Sequence, residues 1–230
     1  DHSSGFGIVS PIIKTKLTPL EIGNSNNINL DDTLLILPSP QKGIGSMAKM
    51  VSRRPFVGWW EYFLEKPIYT LPMNQSWAGA PLISSNGKIL GVGSLFVQDA
   101  AFPGTVSPGN MFVPINLLKP ILNDLIKYGR RKKDIKPYIG LSTNNSSGKV
   151  IITRVSKKGP AEKSGLKKND IIKTVNGKAI NSVQMFYKTI WSSGNYGVEI
   201  NFEIIRNEKD LSFKVKSVDR MNYFIKNKSY

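Results

Sequence analysis

Apolar residues in this chain come in short runs, each closed by proline, glycine or an Asn-Gly step, and this pattern restricts the fold more than any other feature. Thr33-Leu34-Leu35-Ile36-Leu37 stops at Pro38. Residues 81–83 and 89–95 flank the turn Ser85-Asn86-Gly87-Lys88. Short apolar runs bounded by turn residues read as β-strands, and Asn-Gly between two of them is a hairpin signal. With 14 prolines and 20 glycines in 230 residues, 40% of which are hydrophobic, the chain is globular and rich in turns. That excludes a coiled coil and a disordered tail. No run approaches the roughly 18 apolar residues that span a bilayer.

Helical spacing is confined to a few places. Residues 114–128 place Ile115, Leu118, Ile121, Leu122, Leu125 and Ile126 on one stripe, which predicts a single helix capped by Gly129. Beyond it, strands are expected at 138–142, 149–155, 170–175, 198–205 and 211–215, with a tight turn at Val175-Asn176-Gly177-Lys178. Two helices are expected between them: 160–164, stopped by Gly165, and 182–191, with Val183, Phe186, Tyr187 and Ile190 on one face. Phe186 and Ile190 read as core. No repeat with a period of 20 to 50 residues is visible.

Charge divides the chain at the same place. Residues 1–127 carry ten Lys and Arg against eight Asp and Glu, net +2, whereas residues 128–230 carry 22 against eight, net +14. The run Arg130-Arg131-Lys132-Lys133 lies at the join and reads either as a solvated linker or as a contact for an anionic surface. The boundaries predicted are a first domain at 1–128, a basic linker at 129–136, a second domain at 137–218 and a tail at 219–230. The absence of cysteine leaves Ser, Thr, Lys or a carboxylate as the available nucleophiles. No metal-ligand cluster or phosphate-binding glycine loop is present, so no cofactor is expected. The opening Asp1-His2 has neither an initiator methionine nor a signal-peptide pattern, and reads as the start of a processed chain or a fragment.

Tyr138-Ile139-Gly140-Leu141, then Pro160-Ala161-Glu162-Lys163-Ser164-Gly165-Leu166, then Asp170-Ile171-Ile172 with Val175-Asn176-Gly177, resemble a PDZ domain as arranged in bacterial HtrA/Deg (DegP-like) proteases. A glycine-containing loop ahead of a strand can aim its backbone N–H groups at one point and bind a carboxylate. A peptide can then add as a strand beside Leu141, Ser142 and Thr143. The resemblance implies that Ile139, Gly140 and Leu141 supply the amides and that the 182–191 helix forms the opposite wall. Tyr138 lies in the same segment, and Met185 is the candidate for the side-chain pocket. Alternatively the groove is filled by the protein's own chain, with residues 219–230 as the candidate.

Met73-Asn74-Gln75-Ser76-Trp77-Ala78-Gly79-Ala80-Pro81-Leu82 resembles the active-site segment of the trypsin-like HtrA domain, Gly-Asn-Ser-Gly-Gly-Pro-Leu. The fold implied is mainly β: the second barrel and last helix of a trypsin-like double β-barrel, followed by a PDZ domain. Ala78 stands where the nucleophilic serine should be, and its methyl group cannot attack a carbonyl. Ser76, Trp77 and Ala80 replace Gly, Asn and Gly in the loop that forms the oxyanion hole, while Gly79 is retained. Trp77 either fills part of the former cleft or packs on the barrel. Aligning Ser4-Gly5-Phe6-Gly7-Ile8-Val9 with the family's aspartate strand puts Gly5 at the carboxylate, with residues 1–17 as a closing strand and inter-barrel connection. The family's histidine belongs upstream, and His2 reads as an exposed terminal residue.

The resemblance therefore implies a catalytically degenerate HtrA-like protein that captures C-terminal or extended peptides in a regulatory or scaffolding role in protein quality control. It implies placement outside the cytoplasm, periplasmic or inner-membrane associated, and homo-oligomers or mixed oligomers with an active relative. Two further readings stay open. One is an active endopeptidase whose nucleophile has been changed to Ala78. The other is a nucleic-acid or membrane-surface binder built on the basic half, which lacks an RNA-binding aromatic motif or a groove-reading helix.

Overall fold

The computed structural model describes residues 1–13, 16–41, 43–58 and 60–226. It divides into two units, one of residues 1, 3–56 and 64–131, the other of residues 2, 57–63 and 132–226. Segment 57–63 is thus counted with the second unit although the chain on both sides of it belongs to the first.

In chain order the first strands are β1 (Thr33–Ile36), β2 (Ser46–Ser52), β3 (Phe56–Gly58), β4 (Tyr62–Leu64), β5 (Ile68–Leu71), β6 (Pro81–Ile83), β7 (Ile89–Val97) and β8 (Gly109–Pro114). Strands β3 and β4 form a hairpin of their own; the other six close an antiparallel barrel in the order β1-β2-β5-β8-β7-β6. The period of two explains the core: Leu34 and Ile36 on β1 point inward and meet Ala48 and Met50 of β2, with Ile68, Leu82 and Phe112 completing the interior. Each such large side chain contributes roughly 1.5–3 kcal/mol relative to leaving it in water. Gly93 on β7 is required by close approach, since a Cβ there would lie 1.8 Å from the Trp77 carbonyl oxygen.

The helix expected over 114–128 is two pieces, a 3-10 turn at Ile115–Leu117 and α1 (Leu122–Tyr128). Pro120 is the reason: it has no amide hydrogen for the preceding turn, and its ring crowds the carbonyl four residues back. Ile115, Ile121 and Leu125 are buried, but Ile126 is 68% exposed, so the apolar stripe is narrower than the spacing predicts. Gly129 ends α1 in the left-handed region, its amide on the Leu125 carbonyl.

Residues 4–9 form no strand. Asp1 closes a turn instead: its ammonium donates to the Phe6 carbonyl at 2.7 Å, its carboxylate accepts from the Ser4 amide at 2.9 Å, and Gly5 follows at φ 82°. The closing strand expected within residues 1–17 is therefore not formed at 4–9. Asp1 Oδ1 also lies 3.4 Å from Arg131 Nε, so one cation of the basic run is held in an ion pair.

The second unit contains β9 (Leu141–Ser146), β10 (Lys149–Val155), α2 (Pro160–Ser164), β11 (Ile171–Val175), β12 (Lys178–Ala179), α3 (Val183–Trp191), β13 (Glu199–Arg206), β14 (Lys209–Lys216) and α4 (Arg220–Lys226). Its sheet runs β14-β13-β11-β10-β9, with β12 paired to β11. Strand β9 starts later than the predicted 138–142 because Tyr138 bridges to Val218 and Gly140 turns the chain at φ 81°. Phe186 and Ile190 are buried in the core, where Phe186 meets Phe202 edge-on at 6.3 Å. Asp170, 1% exposed, receives Arg206 bidentately at 2.6 and 2.7 Å and the Lys167 amide at 2.8 Å. Losing Arg206 would leave the buried Asp170 charge without its partner, at a cost of roughly 3–5 kcal/mol.

Candidate functional site

Two glycine-bearing loops carry the chemistry expected of this chain, one in each unit. In the first, residues 74–80 lead into β6. Asn74 is buried and organises them: its amide nitrogen donates to Asn110 Oδ1 at 2.7 Å, and its side-chain nitrogen to Ser46 Oγ at 2.8 Å. Its Oδ1 in turn accepts from the Ser76 amide at 2.8 Å. The Gly79 amide donates to the Gly93 carbonyl at 3.0 Å, and the Ala80 amide to the Trp77 carbonyl at 3.0 Å. Four backbone amides of the loop, those of Asn74, Ser76, Gly79 and Ala80, are therefore spent on internal acceptors. An oxyanion hole needs donors aimed at the point where charge develops, and donors already bonded within the protein cannot serve it without rearrangement. Ala78 is exposed at this loop, Ser76 and Trp77 are half-buried, and Ala80 is buried in the barrel core. The chain's one histidine, His2, is exposed and lies with its ring centroid 5.4 Å from that of Phe224.

In the second unit, residues 138–141 lead into β9. Neighbouring elements hold this segment by its carbonyls: Ile139 accepts from the Ala161 amide at 2.9 Å, and Gly140 from the Ser156 amide at 2.8 Å. Tyr138 exchanges backbone hydrogen bonds with Val218, and its hydroxyl lies 3.1 Å from Ser156 Oγ. With the carbonyls so engaged and Gly140 at φ 81°, the N–H groups face the other way. The Leu141 amide donates to Glu61 Oε1 at 2.5 Å, and the amides of Gly140 and Ile139 lie close enough to favour the charged form of that carboxyl.

Glu61 lies in the turn between β3 and β4, within the segment counted with this unit. It is 5% exposed and has φ 52°. Burial pushes its carboxyl up to about 7, against the opposing pull of the Leu141 amide, the Arg220 guanidinium and the amides of Gly140 and Ile139. Arg220, at the start of α4, donates to the carbonyls of Glu61 at 3.0 Å and Trp60 at 2.9 Å, fixing the turn by its backbone. Burial, then the Glu61 charge, raises the hydroxyl of Tyr138 to about 12.

The remaining predicted residues lie around this point. Thr143 is buried and Ser142 half-buried on β9, the outermost strand of the sheet. A cleft of about 500 Å³ separates β9 from the start of α3, lined by Thr143 and Asn145 on one side, Val183 and Gln184 on the other, and Val57 and Gly58 of the hairpin. Met185 is half-buried and packs against the unit's core, while its neighbours Val183 and Gln184 take the cleft wall. Residues 219–226 lie in and before α4; of that tail, Arg220 meets the hairpin, and residues 227–230 fall outside the described residues.

Glu61 escapes sequence reasoning. The signal available is a lone acid set among aromatics, Trp59-Trp60-Glu61-Tyr62-Phe63, where a solvated loop would carry polar neighbours.

Comparison with known proteins places these loops in context. A PDZ domain profile matches residues 137–217. The serine protease Do-like HtrA of Bacillus subtilis (strain 168) is 29% identical over 163 positions, covering 63% of this chain and 35% of that protein. The periplasmic pH-dependent serine endoprotease DegQ of Escherichia coli (strain K12) is 25% identical over 228 positions, covering 94% of this chain and 49% of that protein. The chain thus spans less than half the length of either relative. Among solved structures, the HtrA-type protease AlgW with a decapeptide superimposes with a TM-score of 0.62 at 18% identity, covering 90% of this chain and 66% of that one.

Proposed function

Because the chain is an HtrA-family protein that carries a PDZ domain, we propose that it is a catalytically degenerate member of that family which captures C-terminal or extended peptides and acts as a regulatory or scaffolding protein in protein quality control. The observation that carries the reading is the fate of the 74–80 loop: a methyl group at residue 78, with the Ser76, Gly79 and Ala80 amides satisfied from within. The peptide-binding half rests on the segment leading into β9, where the Leu141 amide donates to a carboxyl group and the Gly140 and Ile139 amides favour its charged form. A decapeptide bound to a protein of the same fold agrees with this use of the domain.

The test is casein cleavage by the full native chain and by Ala78→Ser, beside an active HtrA protease as control. The expected result is no turnover in either: the methyl group at residue 78 cannot attack a carbonyl, and in Ala78→Ser the Ser76 amide stays on Asn74 Oδ1 instead of facing the developing charge. Cleavage by either protein overturns the degenerate reading.

The periplasmic relative supports placement outside the cytoplasm. Among the described residues, no helix is long and apolar enough to cross a membrane. Association with itself or with an active relative, and an anionic surface for Arg130, Arg131, Lys132 and Lys133, belong to the same proposal.

A further inference from the structure

We propose that the 57–63 hairpin is the resident ligand of the PDZ groove, and that an outside peptide binds by displacing it. This inference rests on the reading of 139–141 as a carboxylate-binding loop and adds what already occupies it. A captured peptide needs a carboxylate in the amide nest, an apolar side chain against the helix wall, and chain beside the edge strand. The hairpin supplies the first two and lines the cleft where the third would lie. Glu61 places its carboxyl on the Leu141 amide at 2.5 Å. Phe63, 7% exposed, joins the unit's core with its ring centroid 6.1 Å from that of Trp191 on α3. Val57 and Gly58 line the cleft opposite Thr143 and Val183.

The backbone at Glu61 points the same way. A side chain other than glycine in the left-handed region is unfavourable and persists only where its surroundings impose it. Here those surroundings are the nest on the carboxyl and the two bonds from Arg220 to the turn carbonyls. The competing ligand is thereby defined by chemistry: a peptide with a free C-terminal carboxylate and a large apolar or aromatic terminal residue, which offers the same two anchors without the unfavourable turn.

The experiment uses the full chain and a fluorescein-labelled pool of heptapeptides of randomised sequence ending in phenylalanine, prepared with free and with amidated C-termini. Fluorescence anisotropy gives the affinity of the native protein, Glu61→Ala and Glu61→Gln. Expected is a gain of at least about tenfold for the free-carboxylate pool with Glu61→Ala and a smaller gain with Glu61→Gln, the amidated pool staying weak throughout. Glu61→Gln keeps the shape of the side chain and serves if Glu61→Ala misfolds. Equal, measurable affinity of native protein and both variants for the free pool overturns the resident-ligand inference while leaving the peptide-binding reading intact. Failure of every protein to bind the free pool overturns both.

Discussion

The 74–80 loop of the barrel and the 138–141 segment of the PDZ domain use one device, a glycine-bearing turn that gathers backbone amides, and they differ in where the acceptors come from. In the barrel they lie on the loop itself and on the adjacent strand: Asn74 Oδ1, the Trp77 carbonyl and the Gly93 carbonyl. In the PDZ domain the acceptor is a carboxyl 80 residues away in sequence. A loop satisfied by its own neighbours is closed to any ligand, whereas one satisfied by a distant side chain can exchange it. On the proposed reading a retained glycine does not by itself measure retained function, since Gly79 stands in the loop bonded within the barrel and Gly140 in the loop that meets a distant carboxyl.

The comparison breaks most readily at Asn74. Asn74→Ala removes the acceptor of the Ser76 amide and the donor to Ser46, and should destabilise the barrel by about 3 kcal/mol, read by chemical denaturation. Casein cleavage should stay absent, because freeing one amide supplies no nucleophile at residue 78.

The next effect is one of pH. Undocked Glu61 titrates near the usual carboxylate value and docked Glu61 near 7, so docking takes up a proton between them. Stability of the docked hairpin is full below the lower value and is lost as pH rises through about 7. Peptide affinity should therefore fall on acidification across this window by up to about tenfold per pH unit, the limit for one proton. The charged and titratable groups facing Glu61 are Arg220, Tyr138 and Tyr187. Neither tyrosine changes charge in the window, since burial raises both. Glu61→Gln should flatten the profile, as measured by calorimetric titration.

The smallest effect expected is at the clamp. Arg220→Ala removes two hydrogen bonds to the turn carbonyls but leaves the nest intact, and should raise affinity for free-carboxylate peptides by about fivefold, roughly 1 kcal/mol. An affinity that falls instead would mean that Arg220 serves the incoming peptide.

Much of this was legible because it is local. The expected 149–155 and 160–164 segments coincide with β10 and α2, where alternation and a glycine stop suffice. Phe186 and Ile190 fall in the core because helical spacing puts them on one face. The 114–128 stripe misled because periodicity ignores the amide missing at Pro120, and residues 4–9 misled because an Asp1 turn competes with a strand. Spacing could find the Gly140 turn but not its occupant. The pairing of residues 61 and 141 depends on tertiary closure, and no periodic signal connects them.

The hairpin is continuous at both ends with the barrel's chain, running from β2 through residues 57–63 to β5. A tether of that kind fixes Glu61 at an effective concentration on the order of millimolar. A free peptide therefore competes against a constant that dilution of the protein does not change. Only peptides much stronger than the hairpin itself, or peptide ends presented at high local density, would open the groove, making it a threshold detector for abundant exposed C-termini and not a scavenger of rare ones.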